Sequence, residues 1–221
     1  LYQEAGDHDL AETLLQDIAI SYRRMGELDK AREYLEQNEE YTRRLGDWSQ
    51  LTSNLLQQGY LAEDQGRLDD ALDAYDQALA LARQHDAPYD AASALLAMAW
   101  PWMLRGEHAR ALALVQRAHA GFAGLGDESA NDMVFLRMGQ ANAGLGRHAQ
   151  AMAWYTLAAE ALERSNNRRY LALLYRARAG SERELGRDDE AFADLERYIE
   201  LRESITGVER GEQAPSLRSQ S

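Results

Sequence analysis

The chain has no cysteine. Disulfides, thiol nucleophiles and thiolate metal sites are thereby excluded, and a reducing, cytoplasmic compartment fits. Proline occurs 3 times in 221 residues, so long uninterrupted helices are permitted. Aromatic residues make up 8%, while Ala and Leu are plentiful, a balance that favours helix over strand. No apolar run approaches the ~18–20 residues that span a bilayer, so no membrane partner is implied. Positive charge is also short. There are 24 Lys and Arg against 37 Asp and Glu, a formal net charge of −13. Nucleic-acid backbones and anionic membranes are poor partners for such a surface, because counterion release needs clustered Lys and Arg. The acidity fits solubility, and it would also suit a basic or amphipathic peptide.

What the chain does have is a period. A glycine followed five residues later by an alanine occurs at Gly26/Ala31, Gly66/Ala71, Gly106/Ala111, Gly146/Ala151 and Gly186/Ala191, always 40 residues apart. An internal period of that length marks a repeat array, whose units pack on their neighbours. Other columns keep step. A small residue stands seven before each glycine (Ala19, Gly59, Ala99, Gly139, Ala179), where two helices must approach closely. A large apolar residue stands eleven before (Leu15, Leu55, Leu95, Phe135, Tyr175), and a bulky one nine after (Leu35, Tyr75, Val115, Tyr155, Leu195). The pattern predicts first helices near 9–25, 48–65, 89–105, 128–145 and 168–185. Second helices follow near 28–44, 68–84, 108–124, 148–164 and 188–204. The glycine punctuates the turn between them, where a positive φ is needed. Asp29, Asp69, Asp70, Asp188 and Asp189 start second helices, where they can cap free N–H groups and complement the dipole.

These columns resemble the tetratricopeptide repeat, in a long 40-residue variety with Leu45-Gly46-Asp47 and Leu125-Gly126-Asp127 endings. The resemblance implies an all-α fold: a right-handed superhelical α-solenoid of antiparallel helix pairs, about ten helices in all. It divides the chain into a remnant of a preceding repeat at 1–7, closed at Gly6, and a five-repeat array at 8–205. The repeats run 8–47, 48–87, 88–127, 128–167 and 168–205. A flexible tail or linker rich in Gly, Glu, Gln, Pro and Ser occupies 206–221. The last second helix carries Phe192, Leu195, Ile199 and Ile205 on a side that a following helix would cover. That side is tolerated as exposed, covered by a homodimer through the C-terminal repeat, or left by a lost downstream segment.

No catalytic constellation survives inspection. The run Gly139 to Gly144 has a P-loop's glycine spacing but is followed by Leu145-Gly146 in place of Lys-Ser/Thr. No nucleophile elbow is present. His108 and His148 share a column without the His-x-x-x-His face of a metal site and read as exposed turn residues. The expectation is therefore a non-enzyme with no cofactor and no metal.

The resemblance also implies where a ligand lies, because in such arrays the first helices line a concave groove. The groove positions carried onto this sequence are Leu56, Tyr60, Leu96, Trp100, Met103, Met133, Leu136, Arg137, Gln140 and Arg176. Apolar clusters of this kind mark binding sites, and aromatic anchors beside arginine suit a peptide hot spot. Pro101 falls inside a first helix and removes one backbone hydrogen bond there; Trp102 shares the column of Tyr22 and reads as core. The expected function is a protein-interaction scaffold that binds a peptide or helix in the groove. A different class competes with it: the sensor region of a larger bacterial signalling protein, ahead of a cyclase, kinase or DNA-binding output.

Overall fold

The computed structural model describes the backbone of residues 8–218 and the side chains of residues 13–205. The remnant placed at 1–7, with its cap at Gly6, lies outside the described residues, as do 219–221. Among the described residues there are ten α-helices and no strand. They form two compact units, Leu1–Asp127 and Glu128–Ser221, whose boundary falls between the third and fourth repeats. The first unit holds α1 (His8–Arg24), α2 (Leu28–Leu45), α3 (Trp48–Asp64), α4 (Leu68–Gln84), α5 (Pro88–Leu104) and α6 (His108–Gly124). The second holds α7 (Asn131–Gly144), α8 (His148–Arg164), α9 (Arg168–Glu184) and α10 (Asp188–Arg218).

The period is visible in the starts of the second helices, at 28, 68, 108, 148 and 188. Each hairpin turns on its key glycine, with φ between +71° and +79°. The turns between repeats use the same left-handed position. Gly46 and Gly126 occupy it, as do Asp86 (φ 50°) and Asn166 (φ 51°), two of the non-glycine residues that tolerate it best. The alanine column is the seam of each hairpin. Ala31, Ala71, Ala111, Ala151 and Ala191 are all fully or almost fully buried, which lets the paired helices approach closely.

The two glycines of the small-residue column have a specific reason. A Cβ on Gly59 would overlap the ring of Tyr75, and one on Gly139 would overlap the ring of Tyr155. Both tyrosines are buried to within 1%. Where the small residue is alanine, the facing column carries Leu35, Val115 or Leu195 instead. Glycine and tyrosine therefore enter together, in the second and fourth repeats.

Three expectations are corrected. The acids of the second helices do not act as side-chain caps. Glu27, Arg67, Glu107 and Arg147 occupy the N-cap positions of α2, α4, α6 and α8 and make no capping hydrogen bond. Asp29, Asp69 and Asp70 sit in the first turn, complementing the dipole. The side-chain caps belong to first helices: Asp47 accepts from the Gln50 N–H at 3.0 Å, and Asn167 from Tyr170 at 3.4 Å. Secondly, α7 starts at Asn131 rather than 128, because a turn occupies the preceding residues. Thirdly, α10 continues to Arg218 where a flexible tail was expected from 206. Extending an existing helix adds one hydrogen bond per residue fixed, and Glu209, Arg210, Glu212, Gln213 and Ala214 favour it against Gly207, Gly211 and Pro215 in the same stretch. Within α10, Phe192 and Ile199 are 64% and 53% exposed, whereas Leu72 and Leu79 in the same columns of α4 are buried.

Candidate functional site

The first helices of the first unit place residues ten and six before each key glycine one turn apart on the same face. Those residues are Gln16 and Ile20 on α1, Leu56 and Tyr60 on α3, and Leu96 and Trp100 on α5, and all are half-buried. They are neither core nor freely solvated, which is the exposure of a wall. Polar links fix its edges. The Gln16 amide donates to Ser53 Oγ at 2.8 Å, tying α1 to α3. Arg23 pairs with Asp64 at 3.0 Å and lies over the Tyr60 ring, 5.5 Å from its centroid. Tyr60 meets Tyr75 edge to face at 5.6 Å. Beneath it, the Tyr75 hydroxyl donates to Glu63 Oε1 at 2.9 Å. Burial and the neighbouring Glu63 carboxylate push the Tyr75 phenol well above its ordinary value, so it stays a neutral donor. Tyr60 is thus held from behind by Tyr75 and from the side by Arg23.

Not every candidate stands on the wall. Leu56, Tyr60, Leu96 and Trp100 do; Met103 is 7% exposed and packs inward. Pro101 is buried and α5 runs unbroken through it. In the second unit, Leu136 has no exposed surface and belongs to a core cluster with Ala151, Tyr155, Leu162 and Leu174. The α7 helix begins late, but its register still turns Leu136 inward. Met133 packs at the edge of that cluster, half-buried. Arg137 donates to Gln140 Oε1 at 2.8 Å, and both are half-buried. Arg176 is exposed. Leu173, 38% exposed one turn before it, is an apolar residue the column reading passed over.

The strongest electrostatic cluster lies elsewhere and was not foreseen. Arg178 on α9 donates from Nε and Nη2 to the two carboxylate oxygens of Asp194 on α10, at 2.6 and 2.7 Å. Asp194 and Glu182 are 3% and 5% exposed. Burial raises the Glu182 carboxyl above its ordinary range, and Asp194 adds to the shift while Arg178 opposes it. The sequence signal was present: acids stand in the columns that carry Tyr22 and Tyr34 in the first repeat. His148 approaches Ser181 Oγ at 3.3 Å. Among the described residues no group of three His, Cys, Asp or Glu could hold a metal ion, and no helix is long and apolar enough to cross a membrane.

Residues 9–84 match the tetratricopeptide repeat. No curated protein matches the chain. Among solved structures, BtubC (BKLC) from P. vanneervenii is similar at 18% identity with a TM-score of 0.68, covering 89% of this chain and 83% of that one. A Rap protein complexed with Competence and Sporulation Factor reaches a TM-score of 0.75 at 15% identity, over 87% of this chain and 54% of its own. A putative kinesin light chain from Podosopora anserina, with nearly identical TPR-like repeats, gives 0.62 at 14% identity over 88% and 97%. At these identities the likeness is one of fold. Residues 9–84 thus match the tetratricopeptide repeat, and the helices beyond them share the fold of these structures.

Proposed function

We propose that the chain is a protein-interaction scaffold and that the first-helix wall of its first unit takes a peptide or helix from a partner. The observation that carries this reading is the face made by Leu56 and Tyr60 on α3 and by Leu96 and Trp100 on α5. Four large side chains on adjacent helices are only half-buried and keep part of their surface in solvent. Tyrosine and tryptophan are the residue types that dominate interface energetics. The wall is flanked by Arg23, Glu63 and Asp64 in a chain of charge −13, which favours an amphipathic or basic segment. In the second unit Met133, Arg137, Gln140 and Arg176 are the residues offered to a ligand. A peptide library panned on the wild-type protein tests the reading. Trp100→Ala should weaken selected peptides by roughly 2 kcal/mol or more while leaving the melting temperature within a few degrees. Unchanged affinity together with a collapsed melting temperature would make Trp100 a core residue and sink the proposal.

A further inference from the structure

Each hairpin closes across two columns, four residues before the key glycine and eight after it. In the first repeat these are Tyr22 and Tyr34, whose rings stack 5.5 Å apart. In the fifth they are Glu182 and Asp194, buried beside Arg178. In the third they are Trp102 and Leu114. In the second repeat both are alanine, Ala62 and Ala74. The helix facing this hairpin makes the deficit larger. Six residues after its key glycine α4 carries the buried Leu72, whereas α2 carries the exposed Arg32.

The result is a cavity of about 310 Å³ bounded by α2, α3 and α4. Ala62, Ala74, Leu35 and Leu61 supply its apolar lining, and Arg32 and Arg67 stand among the polar residues around it. A space that holds two tyrosine rings in one repeat, and is given an indole and a leucine in another, is hollow in this one. The polar residues are already satisfied among themselves. Arg67 donates to Asp70 and Gln65, and Arg32 lies 3.4 Å from Asp29. Paired guanidinium groups with Glu36 beside them hold no spare positive charge for a free anionic ligand, but they can lie over a ring. The third repeat fills its equivalent space with Trp102, whose ring lies under the guanidinium groups of Arg110 and Arg105 at 3.5 and 5.1 Å from its centroid, in columns that carry Asp70 and Gln65 in the second repeat.

We propose that this cavity receives the aromatic side chain, an indole above all, of a protein partner that docks along α2 and α4. The site is separate from the first-helix wall, so its failure would leave that reading untouched.

The experiment is a titration of the full chain with N-acetyl-tryptophanamide, followed by backbone amide NMR. Saturable shifts are expected at residues lining the cavity, with N-acetyl-leucinamide producing none at the same concentration. The double variant Ala62→Trp with Ala74→Leu, which restores the third repeat's side chains, should lose the shifts and melt higher than the wild type. Should that variant fail to fold, Ala74→Leu alone half-fills the space and should weaken binding by roughly tenfold. Shifts that survive in these variants, or that lie away from the cavity, overturn the proposal. So does equal or tighter binding of indole-3-acetate, which would make the cavity a site for a free aromatic acid.

Discussion

Gly59 and Tyr75 are best understood as one unit. The buried phenol occupies the volume that any Cβ at residue 59 would need, and its hydroxyl is committed to Glu63. Gly59→Ala alone should therefore overpack the hairpin and cost ~1–3 kcal/mol. Adding Tyr75→Leu restores the pairing of Ala19 with Leu35 and should recover most of the loss, although Tyr75→Leu alone is destabilising too. A double-mutant cycle by urea denaturation measures the coupling, expected at about 1–3 kcal/mol; a coupling near zero would show that the two columns do not sense each other. A second prediction concerns Asp86, the one residue in its inter-repeat turn that takes φ of +50°. Asp86→Gly should raise stability by up to ~1 kcal/mol, because a left-handed conformation costs an L-residue ~1–2 kcal/mol, an expectation checked by the same denaturation midpoint. The sequence carries both facts in its columns, since glycine and tyrosine co-occur and Asx replaces glycine only where a repeat ends. A reading of one column at a time finds the small residues and the turn glycines but not the pairs. That is also why Leu136 was misplaced: facing solvent or core at the wall depends on the rotation of α7 by a fraction of a turn, which a spacing carried from other repeats does not determine.

At the scale of elements, the 40-residue spacing and the glycine positions were enough to place nine of the ten helix starts to within a residue or so. Helix identity is the most legible part of such a chain because hydrophobic period, turn glycine and seam alanine all agree. The exceptions have local causes. The start of α7 is delayed by the turn over the residues before it, and at the end of α10 Thr206 stands in the column that carries Gly46 and Gly126. What pairs α9 with α10 was legible only by column, since Glu182 and Asp194 stand where the first repeat has Tyr22 and Tyr34, and nothing in the spacing adds Arg178 to them. Their geometry gives two predictions. Asp194→Ala removes the two-bond partner of the half-buried Arg178 and leaves it only Glu182, 3.8 Å away, and should cost ~1.5–3 kcal/mol. Glu182 behaves differently, because its folded-state pKa lies above its ordinary value of 4.5. The native state then holds its proton more tightly than the unfolded chain does. Its contribution to stability is fully present below the ordinary value and is lost as pH rises through the folded value. Glu182→Gln removes that loss, so the variant should gain on the wild type as pH rises from 4 to 7. Thermal melts across that range check the sign; a gain confined to the acid side would mean the carboxyl is paired rather than desolvated.

For the molecule as a whole, the net charge is not evenly shared. Residues 1–127 carry 22 Asp and Glu against 11 Lys and Arg, a net of −11, while residues 128–221 carry 15 against 13, a net of −2. In the first unit Glu33, Glu36 and Glu40 stand exposed on α2, and Asp69, Asp73 and Asp76 on α4. Residues three and four apart on a helix are neighbours, so these like charges repel along each helix. Repulsion of exposed charges is screened with a Debye length of ~30 Å at 0.01 M salt and ~10 Å at 0.1 M. Salt should accordingly stabilise the first unit and leave the second almost unchanged, where acids and bases nearly balance. Amide hydrogen exchange on the intact chain resolves the two in one sample. Protection in α1–α6 should rise between about 0.01 and 0.3 M sodium chloride, and protection in α7–α9 should not. Equal responses would show that the exposed carboxylates of α2 and α4 are already neutralised by their own Arg and Lys neighbours. The asymmetry also assigns the solvation work of the fold to the half that bears the aromatic wall and the hollow hairpin. The surplus negative charge of that half disfavours self-association.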